Sequence, residues 1–141
     1  MKLLVINGPS LNLTGFREPD VYGHETYLDL VKKLKSYGKE KGIKLVIKQT
    51  NSEGKIIDYL QDALYKGCDG IILNAGAYTH YSYAIRDAIL SIALDVVEVH
   101  LTDTQAREDF RRVNTIRDVC SASFEGKHFD SYIDGINYFI K

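Results

Sequence analysis

The sequence predicts an α/β fold built on a five-stranded parallel sheet, and three observations carry that prediction. Short apolar runs (Leu3-Leu4-Val5-Ile6, Ile71-Ile72-Leu73 and Val96-Val97-Glu98-Val99) are bounded by turn residues. Segments with a helical apolar period alternate with them, as βαβ units require. Three of the runs also end in polar residues: Asn7-Gly8-Pro9-Ser10, Asn74-Ala75-Gly76-Ala77-Tyr78-Thr79-His80 and His100-Leu101-Thr102-Asp103. Ligands bind at the carboxyl ends of the strands in open parallel sheets, so these exits point to one shared site.

The elements follow in order. The first strand is Lys2–Asn7. The polar loop 9–24, with Gly15, Pro19 and Gly23, is long for a compact domain and reads as a lid or binding loop. A helix starts near Glu25 or Thr26, buries Leu28, Val31 and Leu34, and ends at Gly42 in the manner of a C-terminal cap. Residues 43–49 form the second strand, and its imperfect alternation suits a sheet edge. Ser52 caps a second helix with Ile56, Ile57, Leu60, Ala63 and Leu64 in helical period. Residues 70–73 are short and continuously apolar, hence a central strand. A third helix carries Ala84, Ile85, Ala88, Ile89 and Ile92. The fourth strand is 96–101, with a short helix at 106–110. Residues 121–124 make a weak fifth strand. Phe129, Tyr132, Ile133, Ile136 and Ile140 mark the last helix. Right-handed crossovers join such units into a flavodoxin-like three-layer sandwich of strand order 2-1-3-4-5.

With 141 residues and no repeat, linker or low-complexity segment, the chain is expected to be one domain over 1–141. Its formal net charge of −1 gives no overall attraction to nucleic acid or an anionic membrane. No apolar stretch approaches the ~20 residues of a membrane span, and the first residues are too short for a signal peptide. Cys68 and Cys120 have neither metal nor CxxC spacing and read as reduced, buried thiols. A cytoplasmic protein with no nucleic-acid or membrane partner is expected. The lysines of the first helix read as a solvated face.

Chemistry concentrates at a few positions. Arg17 and Tyr22 lie in the long loop. A fixed cation near a tyrosine favours the phenolate, which serves as a base; a loop tyrosine that simply plugs the core is the plainer alternative. Glu98 and His100 stand two apart on a strand and face the same side. Such a pair is either a carboxylate orienting a general acid or a structural hydrogen bond. His80, His100 and Glu98 also allow a metal site, but no HxxxH or HxH spacing completes one, so none is expected. Asn74, Thr79 and His80 read as a grip for a polyol or carboxylate, next to free N–H groups at the start of the following helix, or as an ordinary loop capped by Asn and Thr. Asp87 lines the site, faces a neighbouring subunit or is an ordinary surface charge. Arg107 and Arg111 share a face at four-residue spacing on a short helix, where one enters the site and another tunes Tyr22, or both are solvated or ion-paired arginines. There is no Walker motif, GxGxxG or GxSxG elbow.

The motifs together resemble a known family. Asn7-Gly8-Pro9, Leu11-Asn12-Leu13, Arg17-Glu18-Pro19 and Tyr22-Gly23 are similar to the opening of type II 3-dehydroquinate dehydratases. Asn51-Ser52-Glu53-Gly54 resembles their second signature. Asn74 through His80 with Ala84-Ile85-Arg86-Asp87-Ala88 resembles the third, and Glu98-Val99-His100-Leu101 with Ala106-Arg107-Glu108 and Phe110-Arg111 the fourth. The resemblance covers nearly the whole chain in register. It implies a shikimate-pathway lyase that dehydrates 3-dehydroquinate to 3-dehydroshikimate through an enolate, with no metal, nucleotide or other cofactor. It implies Tyr22 as base, Arg17 as charge stabiliser, Arg107 as an aid to Tyr22 ionisation, His100 as acid and Glu98 as its orienting partner. It assigns Asn74, His80, Asp87, Arg111 and the backbone N–H groups of Leu101 and Thr102 to substrate binding, with Asp87 acting near a subunit interface in a homododecamer built from trimers.

The chain departs from the family pattern at several points. Ser10 stands where asparagine is usual, Thr102-Asp103 replaces Ser-Asn, and Asp95 sits where proline often precedes the fourth strand. The segment Glu125-Gly126-Lys127-His128 lacks the family's glycine-rich turn, and Tyr81 and Tyr83 are bulkier than is typical. Ser10 and Asp103 motivate the alternative of a non-catalytic homologue that binds a quinate-like ligand.

Overall fold

The computed structural model describes residues 1–16, 18–22 and 24–140, without the side chains of Val21 and Tyr22. Five strands, β1 (Lys2–Asn7), β2 (Lys44–Gln49), β3 (Gly70–Asn74), β4 (Val96–Val99) and β5 (Ala122–Phe124), form one parallel sheet in the order β2-β1-β3-β4-β5. The helices are a single turn α1 (Pro19–Tyr22), α2 (Tyr27–Lys41), α3 (Glu53–Tyr65), α4 (Tyr83–Ser91) and α5 (Asp130–Phe139). The predicted fold class and strand order hold.

Strand alternation sorts the core into two faces. Leu3 and Val5 of β1, Ile72 of β3, and Val97 and Val99 of β4 meet Leu30 and Leu34 of α2 and Phe129, Tyr132 and Ile136 around α5. Leu4 and Ile6, Ile71 and Leu73, and Val96 face the other way, onto Ile56 and Leu60 of α3 and Ile85, Ala88 and Ile89 of α4. Central strands covered on both faces explain the continuous apolar runs.

Local signals set the helix ends. Thr26 and Asp29 close a reciprocal capping box at the start of α2, with Asp29 N–H donating to Thr26 Oγ1 at 3.2 Å. Gly42 ends that helix at φ 70°, a conformation that costs glycine little. Ser52 and Ser82 cap α3 and α4 by accepting from the amides of Lys55 and Ile85.

Several expectations need correction. Leu28 is 60% exposed, because the inward stripe of α2 runs through Leu30 and Leu34. Leu64 and Ala84 likewise point outward on α3 and α4. The fourth strand stops at Val99, where its three-residue partner β5 runs out, although His100 N–H still donates to Phe124 O at 3.1 Å. Residues 104–112 form two separate 3₁₀ turns, Thr104–Ala106 and Asp109–Arg112, with Arg107 extended between them. Arg107 and Arg111 therefore do not share a helix face. Both cysteines are free thiols, Cys68 buried and Cys120 half-buried. Burial and the nearby Glu98 charge push the Cys120 thiol up to about 12, so it stays protonated. No helix of the described residues is long and apolar enough to cross a membrane.

Candidate active site

The three polar exits converge. Asn7 of β1 lies in register with Asn74 of β3, and Leu73 with Glu98 of β4, so the chain leaves three adjacent strands at one end of the sheet. There a cavity is lined by Ser10, Asn74, His80, His100, Arg107 and Arg111, with Pro9, Leu11, Leu101 and Thr102 among the residues completing the wall. It encloses about 630 Å³ of empty space, open mouth included. Close backbone approach shapes its floor. A Cβ on Gly8 would lie 2.8 Å from Ala75 O, so only glycine lets the β1 and β3 exits pass this near.

Beneath the floor, Tyr132 of α5 joins the two exits. Its hydroxyl donates to Asn7 Oδ1 at 2.6 Å and accepts from Asn74 Nδ2 at 2.9 Å, while Asn74 Oδ1 accepts from Gly76 N–H at 3.1 Å. The Asn74 amide is thus held in one orientation before any ligand arrives. Burial drives the Tyr132 phenol well above the usual tyrosine range, the Asn74 bond opposing, so it remains a neutral donor. Tyr132→Phe removes both bonds from a fully buried site. The expected cost is about 1–3 kcal/mol, read as a lowered Tm, together with a raised KM as Asn74 loosens.

Glu98 is fully buried and holds the centre of the polar network. Its Oε2 accepts from His100 Nε2–H at 2.6 Å and Asn114 Nδ2 at 2.6 Å, and its Oε1 from Arg117 Nε at 2.8 Å. Burial alone would raise this carboxyl. The bonds and charges of His100, Arg117 and Asn114 outweigh it and hold Glu98 down to about 2, so it is ionised at neutral pH. With Nε2 committed, Nδ1 is the His100 nitrogen left for a ligand in the cavity its ring lines.

His80 has the opposite character. Its Nδ1–H donates to Val113 O at 2.8 Å and its ring stands edge-on to Phe110. Burial and the neighbouring His100, Arg111 and Arg107 charges lower its pKa, against the pull of Val113, which favours a neutral ring with Nε2 as acceptor. Arg111 donates from Nε to Glu108 Oε2 at 3.2 Å and lies over the Phe110 ring, while Arg107 Nη2 is 4.0 Å from Glu108 Oε1. Two arginines on the wall suit an anionic ligand.

Leu101 is buried and Thr102 half-buried in the cavity wall. Thr79 is fully buried behind the wall, with a hydroxyl that has no hydrogen-bond partner among the described residues. Asp87 is exposed on α4 and is not part of the cavity wall of its own chain. Arg17 and the Tyr22 side chain lie outside the described residues; the Tyr22 backbone ends the single turn α1.

Residues 1–140 match the family model described as dehydroquinase class II. The chain belongs to the class II dehydroquinases. It is 49% identical over 133 residues to the 3-dehydroquinate dehydratase of Clostridium beijerinckii, covering 94% of this chain and 91% of that one. The corresponding enzyme of Lachnoclostridium phytofermentans is 46% identical over 140 residues, covering 99% and 97%. The crystal structure of a type II dehydroquinase from Butyrivibrio crossotus superposes with a TM-score of 0.99 at 45% identity, covering 100% of this chain and 98% of that chain.

Two departures of this dehydroquinase from its family pattern have definite local settings. Ser10 sits at φ 66°, the left-handed region that asparagine enters more easily than serine. Asn51 from the β2 exit supports it by accepting the Ser10 N–H at 3.0 Å, and Gln49 Nε2 donates to Asn51 Oδ1 and to Gly8 O. Asp103 turns away to cap the 104–106 turn, accepting from Gln105 N–H at 2.9 Å, and does not line the cavity. Sequence reasoning missed Asn114, Arg117 and Tyr132 as parts of this site. An N-terminal Asx-like cap pattern at 114–117 was the one available signal: Asn114 Oδ1 accepts from the amides of Ile116 and Arg117.

Proposed function

We propose that this chain dehydrates 3-dehydroquinate to 3-dehydroshikimate, the shikimate-pathway reaction named for its relatives. The observation that carries the reading is the ionised, fully buried Glu98 locked to His100 Nε2 on the wall of a cavity that also holds Arg107 and Arg111. A β-hydroxy ketone needs a base for the α-proton, an acid for the departing hydroxyl and donors for the enolate and the carboxylate. The Tyr22 phenolate takes the proton α to the ketone, and the electron pair moves onto the carbonyl oxygen as an enolate. Arg17 and Arg107 favour the phenolate and stabilise this charge. The enolate then collapses to an enone as the C–O bond breaks, and His100, held by Glu98, delivers its proton to the leaving hydroxyl. Water departs, and no external oxidant or reductant is needed. Asn74, His80, Arg111 and the backbone N–H groups of Leu101 and Thr102 hold the hydroxyls and carboxylate of the substrate. The reading involves no cofactor.

Asp87 acts across a subunit boundary in a homododecamer of trimers, in the cytoplasm. Its exposure on α4, beside the 61% and 70% exposed Tyr81 and Tyr83, supports a contact there. The test is incubation of purified protein with 3-dehydroquinate while following conjugated-enone absorbance. Steady growth of the signal is expected. Ligand binding by calorimetry with no turnover would instead support a non-catalytic binder.

A further inference from the structure

We propose that Arg117 is a positioning residue that sets where and when His100 carries its proton, acting through Glu98, and that it couples this pair through Glu125 to the segment bearing Arg107. The catalytic part of this inference rests on the function proposed above.

The geometry is a relay of charged groups under the cavity. Arg117, on the 117–119 turn, donates from Nε to Glu98 Oε1 at 2.8 Å and places Nη2 2.9 Å from Glu125 Oε1. Glu125, just past β5, in turn accepts from Thr104 N–H at 2.7 Å and from Thr104 Oγ1 at 2.9 Å. Thr104 opens the turn that leads into Arg107. A single guanidinium thus bridges the carboxylate that orients His100 and the carboxylate that anchors the arginine-bearing segment. Arg117 is not part of the cavity wall, so its effect on chemistry passes through Glu98.

The electrostatic consequence has a definite sign. A buried carboxylate facing an imidazole stabilises the imidazolium. A guanidinium on the same carboxylate takes part of that field and adds a positive charge near the ring. Among the described residues, the charged or titratable groups around His100 are Glu98, His80, Arg107 and Arg111 on the cavity side, with Cys120 and Glu125 behind Glu98. Among the described residues, Arg117 is the arginine bonded directly to Glu98, and it keeps the proton on His100 mobile enough to be given up to the leaving group.

The test is an NMR titration of the ring resonances in protein with labelled histidine, without substrate. There are four histidines, so loss of one signal in His100→Gln assigns the ring. In Arg117→Gln the His100 midpoint is expected to rise by about one pH unit, and Arg117→Lys, which keeps the charge but not the fork, by less. In parallel, the alkaline limb of kcat/KM moves up with it, and kcat at neutral pH falls about tenfold while KM changes less than about threefold. An unchanged or lowered midpoint in a folded Arg117→Gln protein overturns the proposal, even if Tm falls. Should Arg117→Gln not fold, Arg117→Lys decides: a smaller upward shift supports the proposal and no shift overturns it. The titration needs no turnover, so an inactive wild type with the midpoint shift intact would remove the functional reading and leave the role of Arg117 standing.

Discussion

His100→Ala is expected to lower kcat about a thousandfold, with KM changed only a few-fold. Positioned acids contribute 10²–10⁴-fold in rate, and this ring is unusually well positioned. One nitrogen is bonded to a buried carboxylate at 2.6 Å, which fixes both the tautomer and the ring plane. The loss is expected to fall on kcat, because the proposed proton transfer is made only as the C–O bond breaks. Steady-state kinetics by enone absorbance measure it. Retention of more than about a tenth of wild-type kcat would remove His100 as the acid.

Tyr22→Phe is expected to cost at least as much. Phenylalanine preserves the ring and deletes only the oxygen, so the change isolates the proposed base from packing. A free phenol titrates near pH ~10, and a cationic neighbourhood draws it toward neutrality. Arg107 on the cavity wall and Arg17 in the same loop as Tyr22 are the cations proposed for that task. If Tyr22 is the base, the acidic limb of the pH–rate profile is expected to be its own, with activity lost as pH falls and the phenolate is protonated. In Arg107→Gln that limb moves to higher pH. Near-normal turnover by Tyr22→Phe would assign the α-proton to another group.

The fold was legible because its signals are local. Runs such as Ile71-Ile72-Leu73 have no polar residue to spare for a solvent face, and Thr26, Ser52 and Gly42 announce helix ends within three residues of where they act. The errors arose where a local pattern admits two registers. Leu28 fits a helical stripe on its own, but Leu30 and Leu34 lie on the face that β1 and α5 cover. Arg107 and Arg111 have helical spacing, yet Arg107 is extended between two turns and Arg111 lies on the second, so they reach the cavity from different local backbone.

Much of the candidate site was visible in the sequence as well. The Glu98–His100 pairing follows from strand alternation over two residues, and the three polar exits follow from where apolar runs stop. A scan of neighbouring residues could not find the support behind them. Arg117 and Asn114 reach Glu98 from 19 and 16 residues away across an irregular segment, and Tyr132 closes on Asn7 over 125 residues.

Period-two and period-3.6 patterns record which face of an element avoids water, so the amino-acid order is enough to set the layers, the strand exits and the His–Glu pair. The partners that keep Glu98 charged and Asn74 oriented have no period to leave in the chain. They meet because a buried polar group must find donors or acceptors wherever packing of the helices on the sheet brings them, and that choice is made only in three dimensions.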